Sequence, residues 1–242
     1  MSSLQILVIS LKHSAARRAR VTEELAKTGL AWSFLDAVDG STLDLATVPY
    51  DAAKVQRLLG FALTPKEIGC YLSHMSAWKA CVQADQATLV LEDDFVISPL
   101  LGPVLQTLLE VQAEWQIVRL QALCESSCDL QTQHDGWQLV RNHSDPLGAT
   151  AYLVNPRSAA QLLANSAEIF EPVDHYIEHH EKHGLTMLAV KPYPIEVVDP
   201  TRATSTITDR PDRPTVRGWR KRQRSWYRWL DRTFSAHPWF PR

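Results

Sequence analysis

Three adjacent acids, Glu92, Asp93 and Asp94, follow the apolar run Leu89-Val90-Leu91 directly. Such a run reads as a buried strand, and acids at its carboxyl end stand where open α/β sheets form their ligand crevice. Neighbouring carboxylates repel one another. A bound Mg²⁺ or Mn²⁺ would offset that repulsion while bridging phosphate oxygens of a ligand. A solvated turn at a strand end is the alternative for the same residues. Consecutive side chains on an extended segment point to opposite faces, so the three acids cannot share one task.

Two other residue groups invite a metal reading. His175, His179, His180 and His183 place two histidines four apart, yet the intervening pattern of a metalloprotease motif is missing, and a mostly exposed polar helix is expected instead. The four cysteines, Cys70, Cys81, Cys124 and Cys128, are too few and too irregular for a disulfide framework. Reduced, mostly buried thiols are expected. Cys124 and Cys128 could share a helical face, but no second ligand pair sits at zinc-like spacing.

The elements that must position these groups can be read from periodicity and caps. Leu4 to Leu11 is an apolar run that predicts the first strand of a parallel sheet. Ser14 is placed to cap a helix with Val21 and Leu25 on its apolar face, ending at Gly29. A second strand is predicted over Ala31 to Val38, before the turn Asp39-Gly40. Thr64-Pro65 opens a long helix to about Gln83, with Ile68, Tyr71, Leu72, Met75, Trp78 and Val82 on one face. Further elements are a strand over Thr88 to Leu91, a helix over Pro99 to Gln112, strands over Gln116 to Leu120 and Ala149 to Val154, and a helix over Pro156 to Ala164. The segment from Cys124 to Asn142 is open between loop and small hairpin. This alternation predicts an α/β fold, a doubly wound, mostly parallel sheet with helices on both faces.

Several blocks in this order resemble glycosyltransferase family 25, which includes bacterial lipooligosaccharide galactosyltransferases and collagen-modifying enzymes. Val8-Ile9-Ser10-Leu11-Lys12 with Arg17-Arg18 is similar to the family's opening strand and basic loop, and Ala37-Val38-Asp39-Gly40 to its second block. Leu63 to Cys70, followed by Ser73-His74 and Trp78, is the most distinctive stretch. Leu91 to Asp94 resembles the acidic motif, with weaker likenesses at Gly148 to Tyr152 and Pro172 to His175. The resemblance spans roughly residues 4 to 200. It implies a GT-A type, Rossmann-like fold, a nucleotide-sugar donor that is usually uridine-linked, and transfer with inversion to give a β-linkage. Galactose is favoured over glucose by resemblance alone, and a lipooligosaccharide or other glycan is the implied acceptor.

Roles follow for individual residues. The leaving nucleoside diphosphate develops negative charge, which a cation held by the acids would stabilise. Asp94 is the first choice as metal ligand; Glu92 or Asp93 is the second ligand or the partner of the donor ribose, with Asp93 taken as the ligand and Glu92 as the donor contact. Inversion also needs a base on the acceptor side, and Asp174 is the candidate, with Glu178 and Glu171 as rivals. For Asp174 the alternative is a charge partner at a helix start. Lys12 and Arg17 lie just past the first strand, suited to donor phosphate, or else to a solvated helix start. His74 and Glu67 fall in the distinctive block as donor contacts; a bonded core histidine and a helix-dipole partner are the alternatives.

Composition sets the frame. The 242 residues, 45% hydrophobic and 21% charged, fit one globular domain with an appendage, and neither disorder nor a fibrous repeat. No stretch reaches the roughly 20 apolar residues of a membrane span, and the Met1 end lacks signal-peptide character, so a cytoplasmic location is expected. The net charge of −2 conceals an asymmetry: residues 1–201 carry 14 basic and 24 acidic side chains, whereas 202–242 carry 11 basic and 3 acidic. These ranges are taken as catalytic domain and tail. Plotted as a helix, Val216 to Phe234 gathers Trp219, Trp226, Trp229, Leu230 and Phe234 opposite a basic face that includes Arg217, Arg220, Lys221 and Arg224. That pattern predicts an amphipathic helix on an anionic membrane, at the inner face where a lipid-linked acceptor would be met. Docking on the enzyme's own core and nucleic-acid binding are the weaker alternatives. For the whole chain, a metal-dependent phosphoryl-transfer or hydrolytic enzyme and a non-catalytic membrane adaptor remain the competing functions.

Overall fold

The computed structural model describes residues 3–198; the basic tail, its expected helix and the boundary at residue 201 lie outside them. β1 (Leu4–Ser10) divides its side chains between two cores, Ile6 and Val8 on one face and Leu7 and Ile9 on the other. α1 (Ala15–Ala26) buries Val21 and Leu25 against the first face. Ser14 occupies the N-cap position but makes no side-chain cap; its N–H donates to the Leu11 carbonyl. β2 (Ser33–Asp36) is shorter than the expected Ala31 to Val38, because the chain leaves the sheet after Asp36 and enters a 3-10 turn at Gly40–Thr42, capped by Asp39.

No element is predicted between this turn and Thr64, where the structure has α2 (Ala52–Leu59), capped by Asp51 and closed by Gly60 at φ 80°. α3 (Pro65–Ala84) begins where its cap predicts: Thr64 Oγ1 accepts from the Glu67 N–H, and the Glu67 carboxylate accepts from the Thr64 N–H. Its buried face is broader than the apolar pattern. Ile68, Tyr71 and Trp78 are joined by Glu67, Ser73, His74 and Cys81, while Val82 is exposed. Buried polar groups on a helix need partners from other elements, and here those partners make the site.

The chain continues through β3 (Ala87–Glu92), β4 (Phe95–Ile97), α4 (Leu101–Glu110) and β5 (Ile117–Arg119). The open segment resolves into a hairpin, β6 (Cys128–His134) and β7 (Trp137–Asn142), turned at Gly136 with φ 78°. β8 (Ala151–Val154), α5 (Pro156–Asn165), α6 (Val173–Glu178), α7 (His180–His183), β9 (Met187–Lys191) and β10 (Ile195–Val197) follow. Eight strands form one sheet in the order β2-β1-β3-β8-β5-β9-β7-β6, and β4 pairs with β10 apart from it. Six of the eight run one way; β8 and β7 oppose them. α1 and α4 cover one face, and α2, α3, α5 and α6 cover the other, which gives the doubly wound arrangement.

Two expectations are corrected. The histidine group does not form one exposed helix: the chain breaks at His179 between α6 and α7, and His183 is buried, bonding the Tyr176 and Ile177 carbonyls. The break lets the second turn fold back onto the core. All four cysteines are free, but only Cys81 is buried; Cys124 is exposed in the loop before β6, and Cys70 and Cys128 are half-buried. Cys128 opens a strand, so it shares no helical face with Cys124.

Candidate active site

The carboxyl ends of β1, β2 and β3 open onto a cleft of about 390 Å³. One wall is the turn after β1 with the start of α1, including His13 and Arg17; another is Val38 to Ser41 after β2. α3 contributes Lys66, Cys70 and Ser73, and the floor is Glu92, Asp93 and Asp94. The second wall is held by close backbone approach. A Cβ on Gly40 would lie 2.1 Å from the Pro65 carbonyl oxygen, and one on Gly69 would lie 2.7 Å from that of Val38. Only glycine permits both. Ser73 Oγ then accepts the Val38 N–H at 2.9 Å and donates to the Gly69 carbonyl at 2.7 Å.

The acids point apart, as an extended segment requires. Asp93 turns toward α1 and is fully engaged: Ser10 Oγ donates to Oδ2 and Arg17 Nη1 to Oδ1, each at 2.6 Å. Arg20 secures the same corner by donating to the Asp93 and Phe95 carbonyls. Asp94 differs. Its Oδ1 is buried and has no hydrogen-bond partner among the described residues. Burial, with the charges of Glu92 and Asp93, pushes its carboxyl up to about 7. A buried acceptor that neither donor nor counter-ion satisfies fits a cation ligand.

Glu92 turns toward α3. Its Oε1 lies 3.3 Å from His74 Nε2 and 3.5 Å from Cys70 Sγ, and its Oε2 accepts from Thr150 Oγ1 at 3.1 Å. Burial opposes its charge, but the bonds from His74 and Thr150 prevail and hold its carboxyl below the ordinary range. His74 is fully buried, with Nδ1 2.9 Å from the Tyr152 hydroxyl, which in turn accepts from Trp78 Nε1 at 2.8 Å. Since Tyr152 already receives one proton there, its own O–H is free to donate to Nδ1, which leaves the ring proton on Nε2, facing Glu92. Burial and the Glu92 charge push the Cys70 thiol well above its usual value.

The remaining candidates divide. Arg17 lines the cleft, whereas Lys12 is exposed on the turn beside it and does not. Glu67 is buried in the capping box, away from the cleft lining. Asp174 stands in the first turn of α6 and makes no ion pair among the described residues; its Oδ1 accepts the His175 N–H, and its charge reaches Cys70. Its rivals are each engaged by another side chain: Glu178 Oε1 lies 2.6 Å from Arg119 Nη2, and Glu171 Oε1 lies 2.8 Å from His179 Nδ1.

Comparison with known proteins decides what this cleft belongs to. The model of glycosyltransferase family 25, described as LPS biosynthesis protein, matches residues 3–177, which includes every cleft residue. The chain belongs to glycosyltransferase family 25. It is similar to procollagen galactosyltransferase 2 of Mus musculus, 32% identical over 126 residues covering 47% of this chain and 20% of that protein. Procollagen galactosyltransferase 1 of Danio rerio is 27% identical over 200 residues, 75% of this chain and 32% of the relative. Inactive glycosyltransferase 25 family member 3 of Mus musculus is 33% identical over 97 residues, 38% of this chain and 16% of its own. The family 25 chain thus spans a third or less of the curated relatives it matches. Among solved structures it is similar to a glycosyltransferase involved in glycosylation of the major capsid of PBCV-1, at 8% identity, TM-score 0.43, covering 93% of this chain and 98% of that one.

Within the family 25 cleft, sequence reasoning missed Asp39, Lys66 and Cys70 as lining residues. Asp39 had a usable signal. An acid just past the second parallel strand is where Rossmann-like sheets meet a ribose, although the pair Asp39-Gly40 also reads as a turn. Its Oδ1 accepts from Ser41 N and Ser41 Oγ, bonds that lower its carboxyl.

Proposed function

We propose that this family 25 chain is an inverting glycosyltransferase that moves a hexose, galactose first and glucose second, from a uridine-diphosphate sugar to a lipooligosaccharide or related glycan. The observation that supports it best is the buried, unpartnered Asp94 Oδ1 at the floor of a cleft formed by three parallel strand ends. Asp94, with Asp93 beside it, would hold Mn²⁺ or Mg²⁺. When bound, that cation neutralises the diphosphate leaving group.

The chain's own residues do the rest. Asp39, Lys66 and Arg17 line the cleft, where they would meet the donor's nucleoside and diphosphate. Arg17 is already paired with Asp93, so donor phosphates compete for its guanidinium and release Asp93 toward the cation. Glu92, kept ionised and aimed by His74 and Thr150, borders the sugar. Asp174 takes the proton from the acceptor hydroxyl. The tail, outside the described residues, would rest on an anionic membrane at the cytoplasmic face, which brings the cleft to a lipid-linked acceptor. No helix among the described residues is long and apolar enough to cross a membrane.

A panel of nucleotide sugars, with and without Mn²⁺, scored by released nucleotide, tests this reading. Turnover from a uridine-diphosphate hexose that requires Mn²⁺ and disappears in Asp94→Ala is expected; Mn²⁺-independent turnover, or full activity in the variant, sinks the metal assignment. A non-catalytic reading has one point in its favour, the similarity to an inactive family member. It predicts no turnover with any donor in the panel.

A further inference from the structure

We propose that Cys70, His74 and Glu92 form a second cation site, separate from Asp93 and Asp94, that takes a divalent ion of the zinc class. This goes beyond the proposed transfer activity and stands whether or not that activity is found.

The three side chains come from rigid elements. Cys70 and His74 are four apart on α3 and so share a helical face, and Glu92 ends β3 opposite them. Their ligand atoms all lie within 4.8 Å of one another, the one such group of three among the described residues. Two of the three separations suit the ion, and the third, sulfur to nitrogen, is within 4.8 Å. Zinc bonds of about 2.3 Å to sulfur, 2.0–2.1 Å to nitrogen and 2.0–2.2 Å to oxygen, at tetrahedral angles, set sulfur and oxygen about 3.5–3.7 Å apart and nitrogen and oxygen about 3.3–3.5 Å apart. Cys70 Sγ is 3.5 Å from Glu92 Oε1, and His74 Nε2 is 3.3 Å from the same oxygen.

An outer ring of bonds already orients the ligands. Tyr152, held by Trp78, fixes the His74 ring through Nδ1, and Thr150 holds the carboxylate by its other oxygen. Such partners typically accompany metal-binding histidines and carboxylates. On binding, the thiol proton leaves to solvent and the imidazole proton passes from Nε2 to Nδ1; the Tyr152 O–H then turns away from Nδ1, and its oxygen accepts from Nδ1 as well as from Trp78. Three protein ligands leave one position open, and Cys70 and Glu92 both line the cleft, so that position faces it. The mixed sulfur, nitrogen and oxygen set separates this site from the all-oxygen pair Asp93 and Asp94, which suits Mn²⁺ or Mg²⁺.

Titration of the full chain with Co²⁺, followed by Zn²⁺ displacement, reads the site directly. Wild type should give a thiolate-to-cobalt charge-transfer band with strong visible bands at one equivalent, erased by Zn²⁺. Cys70→Ala, or Cys70→Ser where the alanine variant does not fold by circular dichroism, should lose the charge-transfer band, and Asp94→Asn should keep it. A wild type without the band, a band that survives in the folded Cys70 variant, or one lost in Asp94→Asn overturns the site.

Discussion

Arg17 Nη1 lies 2.6 Å from Asp93 Oδ1, so the middle acid of the triplet carries its own counter-ion, while Asp94 one residue later makes no ion pair among the described residues. The two aspartates therefore respond oppositely to substitution.

Asp94→Asn should abolish cation-dependent turnover and stabilise the fold at the same time. The Asp94 carboxyl, raised from 3.8 to about 7, favours folding below about pH 4 and loses that contribution as pH rises through 7. At pH 8 the amide should add on the order of 2–4 kcal/mol, and near pH 3.5 almost nothing. Thermal melts at the two pH values check it; equal shifts would remove the assigned burial cost.

Arg17→Ala should weaken donor binding yet tighten Mn²⁺ binding, because Asp93 is left charged and unpaired beside Asp94. Calorimetric titration with Mn²⁺ and with uridine diphosphate separates the two effects. A parallel loss of both would mean that Arg17 only props the corner.

Asp174→Asn should lower kcat by about 10² to 10⁴ with little change in melting temperature. Glu178→Gln should instead destabilise the protein by about 1–3 kcal/mol, since it leaves Asp145, 3.9 Å away, and three carbonyls to satisfy a buried guanidinium: Arg119 is 2% exposed. Single-turnover rates and urea melts on both variants distinguish the base from the structural acid.

Gly69→Ala should cost about 1–3 kcal/mol and reduce nucleotide affinity, because the new Cβ would stand 2.7 Å from the Val38 carbonyl oxygen and 2.8 Å from Gly40 N. Nucleotide binding unchanged in Gly69→Ala would detach the second wall from the donor.

Acid should act through His183, whose value burial lowers from 6.5 to about 4. The unfolded chain takes up that proton first, so stability falls as pH drops from about 6.5 to 4, by about 3 kcal/mol in total. His183→Gln should flatten the slope in that window.

What the sequence determined by itself was local. The apolar runs of β1 and β3, the capping box at Thr64 and Glu67, and the alternation of strands and helices all rest on neighbours within a few residues, and so did the opposed directions of Glu92 and Asp93. The order of the blocks carried the family. The break at His179 and α2 were not legible, and the hairpin of β6 and β7 only as one of two alternatives, since short elements owe their form to packing more than to propensity. Partnership was decided by tertiary structure alone. The parallel register that sets Ile9 against Glu92 brings Ser10 to Asp93 across 83 residues of chain, and α1 then delivers Arg17 to the same carboxylate. A sequence shows three like charges in a row; only the sheet says that one is paired with arginine, one is wired to a buried histidine and one has a buried oxygen with no partner among the described residues, because hydrogen-bond partners are chosen by proximity in space.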